Sequence, residues 1–255
     1  MIIGLHSVKN GGKNTTADFI SAWCASRHLT CKQGSFAAKA KWAFTRQFFP
    51  DCTMEWAIEW FDSNKNNDNI RVVIEHRRYP SDHGADVQIR QCMAQFATEG
   101  GRDIYGYDHW VNQFLPDDKI IFAEFLKDEY NYHTWHESFT IDGGRRVAHV
   151  CPITDVRFEN EVERIHKLHG IAIKIRRKDA EDAVIEEFKQ QGKEIHRSEL
   201  GLPDEMFDFV INNDDNDMDL ARQRTESVLN GIHSIQLIEY YLQKGKELEV
   251  PDANR

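Results

Sequence analysis

Two short stretches carry residue types that handle phosphate. The first is Ser7-Val-Lys-Asn-Gly-Gly-Lys-Asn-Thr15, in which paired glycines precede Lys13 and a hydroxyl follows at Thr15. Glycines let backbone N–H groups turn toward phosphate oxygens, and the N-terminus of a following helix adds positive potential. A lysine at this position reaches β- and γ-phosphates. Read this way, Ser7, Lys9, Asn10, Gly11, Gly12, Lys13, Asn14, Thr15 and Thr16 form an ATP site, and Thr15 helps to hold Mg²⁺. The stretch departs from G-x-x-x-x-G-K-[ST]: Ser7 takes the first glycine's place, and Asn14 separates Lys13 from Thr15. A plain glycine-rich turn is the alternative on these residues alone.

The second stretch is Asp155-Val-Arg-Phe-Glu-Asn-Glu161, directly after an apolar run that ends at Thr154. At the carboxyl end of a parallel strand, Asp155 can orient Mg²⁺-bound water or an acceptor group. Arg157 can neutralise charge on a transferring phosphoryl group. A capped helix start with local ion pairs accounts for the same residues equally well. Other cations leave the same choice open. Arg176-Arg177-Lys178 either closes over ATP, with Arg176 on the nucleotide, or is a solvated basic turn. Arg77, Arg78 and Arg90 either clamp an acceptor phosphate bidentately or, at Arg90, pair with a neighbouring acid. Trp110 and Trp135 have the shape to stack on a base, and for Trp110 a core position is the expectation.

These residues need strands and helices in alternation behind them. Ile2-Ile3-Gly4-Leu5 reads as a strand, and Ala17, Ile20 and Cys24 recur at helical spacing over Thr15 to Ala25. From about Ser35 to Phe114 the pattern is helical and aromatic, and Trp42, Phe44, Phe48, Trp56 and Trp60 have spacings that suit buried helix faces. Asn64 to Asn69 reads as a loop. Ile120-Ile121-Phe122 reads as a strand and Phe139 to Val147 as a hairpin around Asp142-Gly143-Gly144. Alternation returns with a buried strand over Val147 to Thr154, a helix over Asn160 to His169 and a strand over Ile171 to Ile175. After a charged segment come a last strand, Asp208 to Asn212, and a helix from about Asp217. Strands separated by helices imply βαβ units and a parallel sheet. One domain is expected, with a core of about 1–34 and 147–244, an inserted substrate-covering region of about 35–115, a hairpin-containing segment 116–146 and a frayed tail 245–255.

Composition narrows the function classes. The chain has 255 residues, 40% hydrophobic and 29% charged, with a formal net charge of −10. That balance fits a globular α/β protein and disfavours a sequence-independent grip on DNA or RNA, which needs clustered Lys and Arg. A small anionic ligand remains open, since a local basic cluster overcomes an acidic average. No apolar run approaches the ~18 residues of a membrane span, and no basic leader precedes the first strand, so a cytoplasmic location and no membrane partner are expected. Five scattered cysteines without a C-x-x-C pair argue against a disulfide framework and a zinc site. A homodimer is left open.

Both chemical stretches resemble motifs of the deoxynucleoside monophosphate kinases of tailed phages, and further segments follow in the same order. Asp155 to Glu161 is similar to that family's D-V-R-F-x-N-E. Phe36-Ala-Ala-Lys-Ala-Lys41 resembles its F-A-x-x-L-K. Gln95-Phe-Ala-Thr-Glu-Gly-Gly-Arg102 and Asp108-His-Trp-Val111 resemble L-Q-x-x-G-T-E-x-x-R and D-x-W-V. His196-Arg-Ser-Glu199 and Asp208-Phe-Val-Ile-Asn-Asn213 resemble H-x-S-E and D-x-x-I-x-N. The likeness runs from Ile2 to about Asn213 and is weak between Pro116 and Arg146.

The resemblance implies a P-loop NTPase fold of three α/β/α layers, with a central parallel sheet and an inserted, mainly helical region that binds the nucleoside monophosphate. It implies ATP and Mg²⁺ as cosubstrate and cofactor, a dNMP as acceptor, and no nucleic-acid or membrane partner. It makes Lys13 and Thr15 the ATP and Mg²⁺ residues, Asp155 a second metal-side residue, and Asp155, Arg157 and Glu161 the reacting centre with Lys13. Lys41, Gln95, Thr98, Glu99 and Arg102 are then the dNMP-holding candidates, to which the clamp reading above adds Arg90. Most relatives carry Asp after the loop lysine, where this chain has Asn14, which hydrogen-bonds but carries no charge. A nucleotide-binding but catalytically weak module, or a kinase for another small acceptor, therefore stays open beside the dNMP kinase.

Overall fold

The first strand, β1 (Ile2–His6), turns into helix α1 (Lys13–Ala25). Next come α2 (Ala38–Thr45), α3 (Met54–Asn64), strands β2 (Arg71–Val73) and β3 (Asp86–Gln88), α4 (Ile89–Ala97), α5 (Asp103–Tyr105) and α6 (His109–Phe114). Strands β4 (Phe139–Thr140) and β5 (Arg146–Ala148) precede β6 (Cys151–Val156), α7 (Glu159–Lys167), β7 (Ile171–Arg176), α8 (Lys178–Gln191), β8 (Phe209–Asn212) and α9 (Met218–Leu248). This computed structural model describes residues 1–67, 70–73, 86–115, 139–140, 146–148, 150–191, 201–215 and 217–248. Arg77, Arg78, the Ile120–Phe122 strand, Trp135, the Asp142–Gly144 turn and His196 to Glu199 lie outside the described residues.

Four strands form one wholly parallel sheet in the order β6-β1-β7-β8. A parallel sheet is stable when helices cover both of its faces, and the apolar residues divide accordingly. On one face Ile2, Cys151, Ile153 and Ala172 pack with Val162 and Ile165 of α7 and with Phe114 of α6. On the other, Ile3, Leu5, Ile173, Ile175 and Ile211 pack with Ala17 and Ile20 of α1 and Leu229 of α9. Each such aliphatic side chain contributes about 1.5–3 kcal/mol when fully buried. The protein is therefore α/β, as its alternating pattern predicts. Among the described residues no helix is long and apolar enough to cross a membrane.

Beside β6 the chain adds an irregular edge. Cys31 and Gly34 make isolated parallel bridges to Val150 and Ile153, and the Gly34 N–H donates to the Pro152 carbonyl at 2.8 Å. Within β6 the register slips: Gly4 aligns with Ile153 but His6 with Val156, so Thr154 and Asp155 together face Leu5. This extra residue is a bulge, and bulges re-aim side chains. It returns Val156 to the buried face and leaves Asp155 half-buried at the strand's end.

Several elements differ from their sequence signals. The apolar run over Val147 to Thr154 is two strands with different partners: β5 pairs antiparallel with β4, whereas β6 joins the parallel sheet. The β4–β5 pair supplies the two arms of the expected hairpin. The charged stretch after β7 is the helix α8, which buries Ala180 and Val184. The region 35–115 also contains the antiparallel pair β2–β3. Its own core gathers Ala40, Phe44, Phe61, Ile89, Cys92, Met93 and Trp110. Of the five aromatic residues expected on buried helix faces, Phe44 alone is buried; Phe48 and Trp56 are 45% and 42% exposed. The Phe48 ring meets the edge of buried Phe44, while Trp56 joins Phe49 and Trp60 in a surface cluster.

Between α4 and α5 lies one π-helical turn, Thr98–Arg102. The Trp110 indole N–H donates to the Ala97 carbonyl at 2.7 Å, and a Cβ on Gly101 would sit 2.4 Å from that indole nitrogen. Glycine is what lets the ring and the backbone approach so closely. Gly101→Ala is expected to cost about 1–3 kcal/mol through overpacking, although alanine elsewhere in a helix outperforms glycine. Gly100→Ala, whose Cβ would meet only Phe96 at 3.6 Å, is the control. Urea unfolding compares them, and equal midpoints would contradict this account of the turn.

Candidate functional site

The loop from Ser7 to Gly12 leaves the carboxyl end of β1 between its neighbours β6 and β7. In open α/β sheets this crest, where strand order reverses, is where ligands bind. Gly12 precedes α1 with φ 101°, ψ 11°, a left-handed conformation that glycine adopts without strain. No side chain caps the helix, so the first-turn N–H groups face the loop without a capping oxygen. The Lys13 ammonium folds back over the loop and donates to the carbonyls of Ser7 at 2.5 Å and Val8 at 2.8 Å. Ser7 is buried, its Oγ lies 1.7 Å from where a Gly11 Cβ would stand, and that oxygen has no hydrogen-bond partner among the described residues. Serine at the first loop position therefore fits only because Gly11 lacks a side chain.

The remaining loop residues divide by role. Asn10 is left-handed, with φ 63°. Asn14 is exposed, Thr15 half-buried and Thr16 buried behind the loop. Lys9 reaches away to Glu187 of α8 at 3.2 Å.

Asp155 acts as a clamp. Its Oδ2 accepts from Ser35 Oγ at 2.6 Å and the Ala37 N–H at 2.9 Å, and its Oδ1 accepts from the Phe36 N–H at 2.8 Å. These donors are the entry to α2, so one carboxylate fixes where the 35–115 region leaves the sheet. Carboxylates accepting several N–H bonds make strong, charge-assisted contacts.

Glu161 anchors the other side of the crest. It is 3% exposed. Its Oε2 accepts from the N–H groups of Arg157 at 2.6 Å and Phe158 at 3.0 Å, which caps α7. Its Oε1 accepts from Arg102 at 3.2 Å. Burial, joined by the nearby Asp155 charge, pushes its carboxyl up to about 7 against these donors. Arg102 lies over the Phe158 ring, 3.7 Å from its centroid, and its Nε is buried without a partner among the described residues. Asn160, beside Glu161, donates to Asp108 at 2.7 Å and to the Tyr107 carbonyl. The structure thus joins the Gln95–Arg102 and Asp108–Val111 segments to the Asp155–Glu161 segment.

The rest of the expected set is more dispersed. Lys41 is held by Asp62 of α3 at 2.9 Å. Arg90, Gln95, Thr98 and Glu99 are exposed, the last two on the π-helical turn. Arg176, at the end of β7, pairs with Asp204, which also takes Lys174 at 2.8 Å. Arg177 pairs with Asp179. Arg176 and Arg177 of this basic run are therefore ion-paired. Trp110 is buried, as expected for a core residue.

Sequence reasoning missed His6. It is 2% exposed at the end of β1; its Nδ1–H donates to the Val156 carbonyl at 2.9 Å, and its Nε2 accepts from the Leu202 N–H at 3.2 Å. Burial holds it neutral by lowering its pKa to about 4. Its ring stacks on Phe207, and Lys174 donates to the Leu202 carbonyl at 2.6 Å, so the 201–207 segment is strapped to the crest beside the loop. Its place at the end of an apolar strand that is buried on both faces was the available signal.

No group of three or more His, Cys, Asp or Glu among the described residues could hold a metal ion. Magnesium in nucleotide sites is held mainly by phosphates and water with one or two protein groups. Thr15, in the first turn of α1 two residues past Lys13, fits that need. No protein-family model matches the chain, and no curated protein matches it.

His6 and Glu161 make opposite contributions to stability between about pH 5 and 7. Glu161 favours its neutral form in the fold, so its contribution is present at low pH and lost as pH rises through about 7. His6 is neutral in the fold, so its contribution is present above 6.5 and lost as pH falls toward 4. Glu161→Gln should make unfolding free energy climb more steeply with pH across this window, by on the order of 2 kcal/mol, and His6→Asn should make it fall. Denaturant unfolding at several pH values checks both signs. Profiles parallel to that of the parent chain would overturn the assignment of these two buried groups.

Proposed function

We propose that the chain is a P-loop phosphotransferase that moves the γ-phosphoryl group of ATP to a deoxynucleoside monophosphate. The observation that carries this reading is the loop itself: a left-handed Gly12 at the mouth of an uncapped helix, beside the central strand's carboxyl end, with Lys13 curled over it. Backbone N–H groups and a lysine so placed suit the β- and γ-phosphates. The motif order supports the nucleotide kinase within that class. So does the Arg102–Glu161 contact, which links the acceptor-side segment to the segment bearing Arg157.

In this reading the Lys13 ammonium exchanges the Ser7 and Val8 carbonyls for phosphate oxygens. Ser7, Asn10, Gly11, Asn14 and Thr16 shape the loop, and Lys9 steadies it through Glu187. Thr15 would help to hold magnesium, which would supply charge neutralisation for the phosphates, and Asp155 Oδ1, which accepts one bond from the described residues, would be the oxygen on its side. The α2 to α6 region closes on the dNMP, and Arg102, held by Glu161, presents its unused Nε to the acceptor phosphate. Gln95, Thr98, Glu99, Arg90 and Lys41 stand on the acceptor side, and Lys41 must leave Asp62 to take part. A phosphate oxygen of the dNMP attacks the γ-phosphorus in line, with Arg157 neutralising the developing charge. Arg176 joins ATP by releasing Asp204.

The test is ADP release from Mg·ATP with dAMP, dCMP, dGMP or dTMP. Turnover with at least one of them is expected, reduced about 100-fold or more by Lys13→Ala and by Arg157→Ala. ATP binding without ADP release would favour a binding module, and response to another acceptor alone would favour a different kinase.

A further inference from the structure

Phe48, Phe49 and Trp56 are large apolar side chains left exposed within one short stretch, from just after α2 to the first turn of α3. The Phe49 ring centroid lies 5.2 Å from that of Trp56 and 5.1 Å from that of Trp60. The two indoles stack one helical turn apart, their planes 18° from parallel. Half-buried Trp42 extends the cluster onto α2, and its N–H donates to the Cys52 carbonyl at 3.2 Å, across the connection between the two helices. Exposed apolar residues scattered singly need no partner, but a contiguous aromatic patch marks a contact surface. Trp, Phe and Arg are the types enriched at the centres of protein interfaces. None of these rings is among the residues assigned to ATP or the dNMP.

The two edges of the patch carry opposite charge. On the α2 side the Lys39 ammonium and the Arg46 guanidinium stand 5.6 and 5.1 Å from the centre of the Trp42 ring. Arg46 is exposed, and its Nε donates to the Pro50 carbonyl at 3.0 Å, next to Phe49. On α3 the buried row is Ala57 and Phe61, and Phe61 meets Phe44 of α2 at 6.1 Å between centroids. Each step back along a helix turns the side chain by about 100°. Trp56 and Trp60 are therefore the next row round from the buried one. Glu55 and Glu59, both exposed, are the row beyond, on the side away from α2.

A surface that is basic at one edge and acidic at the other is complementary to itself after a half-turn. We propose that this patch pairs two copies of the chain about a twofold axis through the aromatic cluster, so that Arg46 of each copy faces Glu55 and Glu59 of its partner. A uniformly acidic or basic partner would match one edge and be repelled at the other. Phe49 and Trp56 are the central anchors, while the charges at the rim set the register. This inference rests on the surface alone and is independent of the phosphotransfer reading.

Sedimentation velocity on the full chain, from low to high micromolar concentration at low salt, tests it. A concentration-dependent dimer is expected, and Trp56→Ala should weaken it roughly tenfold or more. Arg46→Glu makes both edges acidic, and Glu55→Arg with Glu59→Arg makes both basic, so each variant should pair poorly with itself. Mixed in equal amounts, the two should form a heterodimer, because acidic edges then meet basic ones throughout. These changes fall on exposed side chains, and circular dichroism checks that each variant is folded. A monomer at every concentration, a dimer that Trp56→Ala leaves unchanged, or folded charge variants that fail to pair when mixed would overturn the proposal. A change in tryptophan emission when a dNMP is added to a wholly monomeric chain would give the patch to the nucleotide instead. The parent chain decides the first point without any variant.

Discussion

A carboxylate at the end of a buried strand needs donors, and at Asp155 the chain supplies them from Ser35, Phe36 and Ala37. The bulge in β6 makes this contact possible by turning Asp155 off the buried face while Val156 stays on it. Everything on the acceptor side follows from that attachment, because α2 begins there and α3 to α6 pack on from it. Removing such a carboxylate leaves several orphaned donors together, and each unsatisfied buried group costs about 1–3 kcal/mol. The same few residues then pin Glu161 under the N–H groups of Arg157 and Phe158. One strand end thereby orients two regions of the chain.

Charge at the crest is arranged as exchangeable partnerships. Lys13 rests on two carbonyls, Arg102 on Glu161, and Arg176 with Lys174 on Asp204. Each of these cations has an acceptor within the chain, a carbonyl pair for Lys13 and a carboxylate for the others. Neutral His6 fills the space behind them and adds no charge. Its two hydrogen bonds tie β6 and the 201–207 segment to the strand that carries the loop.

The central sheet was legible because its signals are local. Ile2 to Leu5, the Ala17, Ile20, Cys24 spacing, Asn160 to His169 and Ile171 to Ile175 each carry the period of their element, and β1, α1, α7 and β7 lie there. The loop was legible for the same reason. Helix α8 was not, because charged residues dominate its stretch and hide the one-turn spacing of Ala180 and Val184. The aromatic residues misled because spacing describes a face but not what covers it, and nothing among the described residues covers Phe48 or Trp56 enough to bury them. The Asp155 clamp joins residues about 120 positions apart. Such a constraint leaves no periodic trace. The motif order suggested that Arg102 and Glu161 belong to one site, and only the fold could place them 3.2 Å apart.

Phosphoryl transfer to a nucleotide is the central claim, and the fate of the γ-phosphate tests it most directly. ATP labelled at that phosphate would be incubated with magnesium, the protein and each dNMP in turn, and the nucleotides separated. The account predicts label in the diphosphate of at least one deoxynucleoside and little in free phosphate. Label that remains in ATP, or passes to water alone, would contradict it.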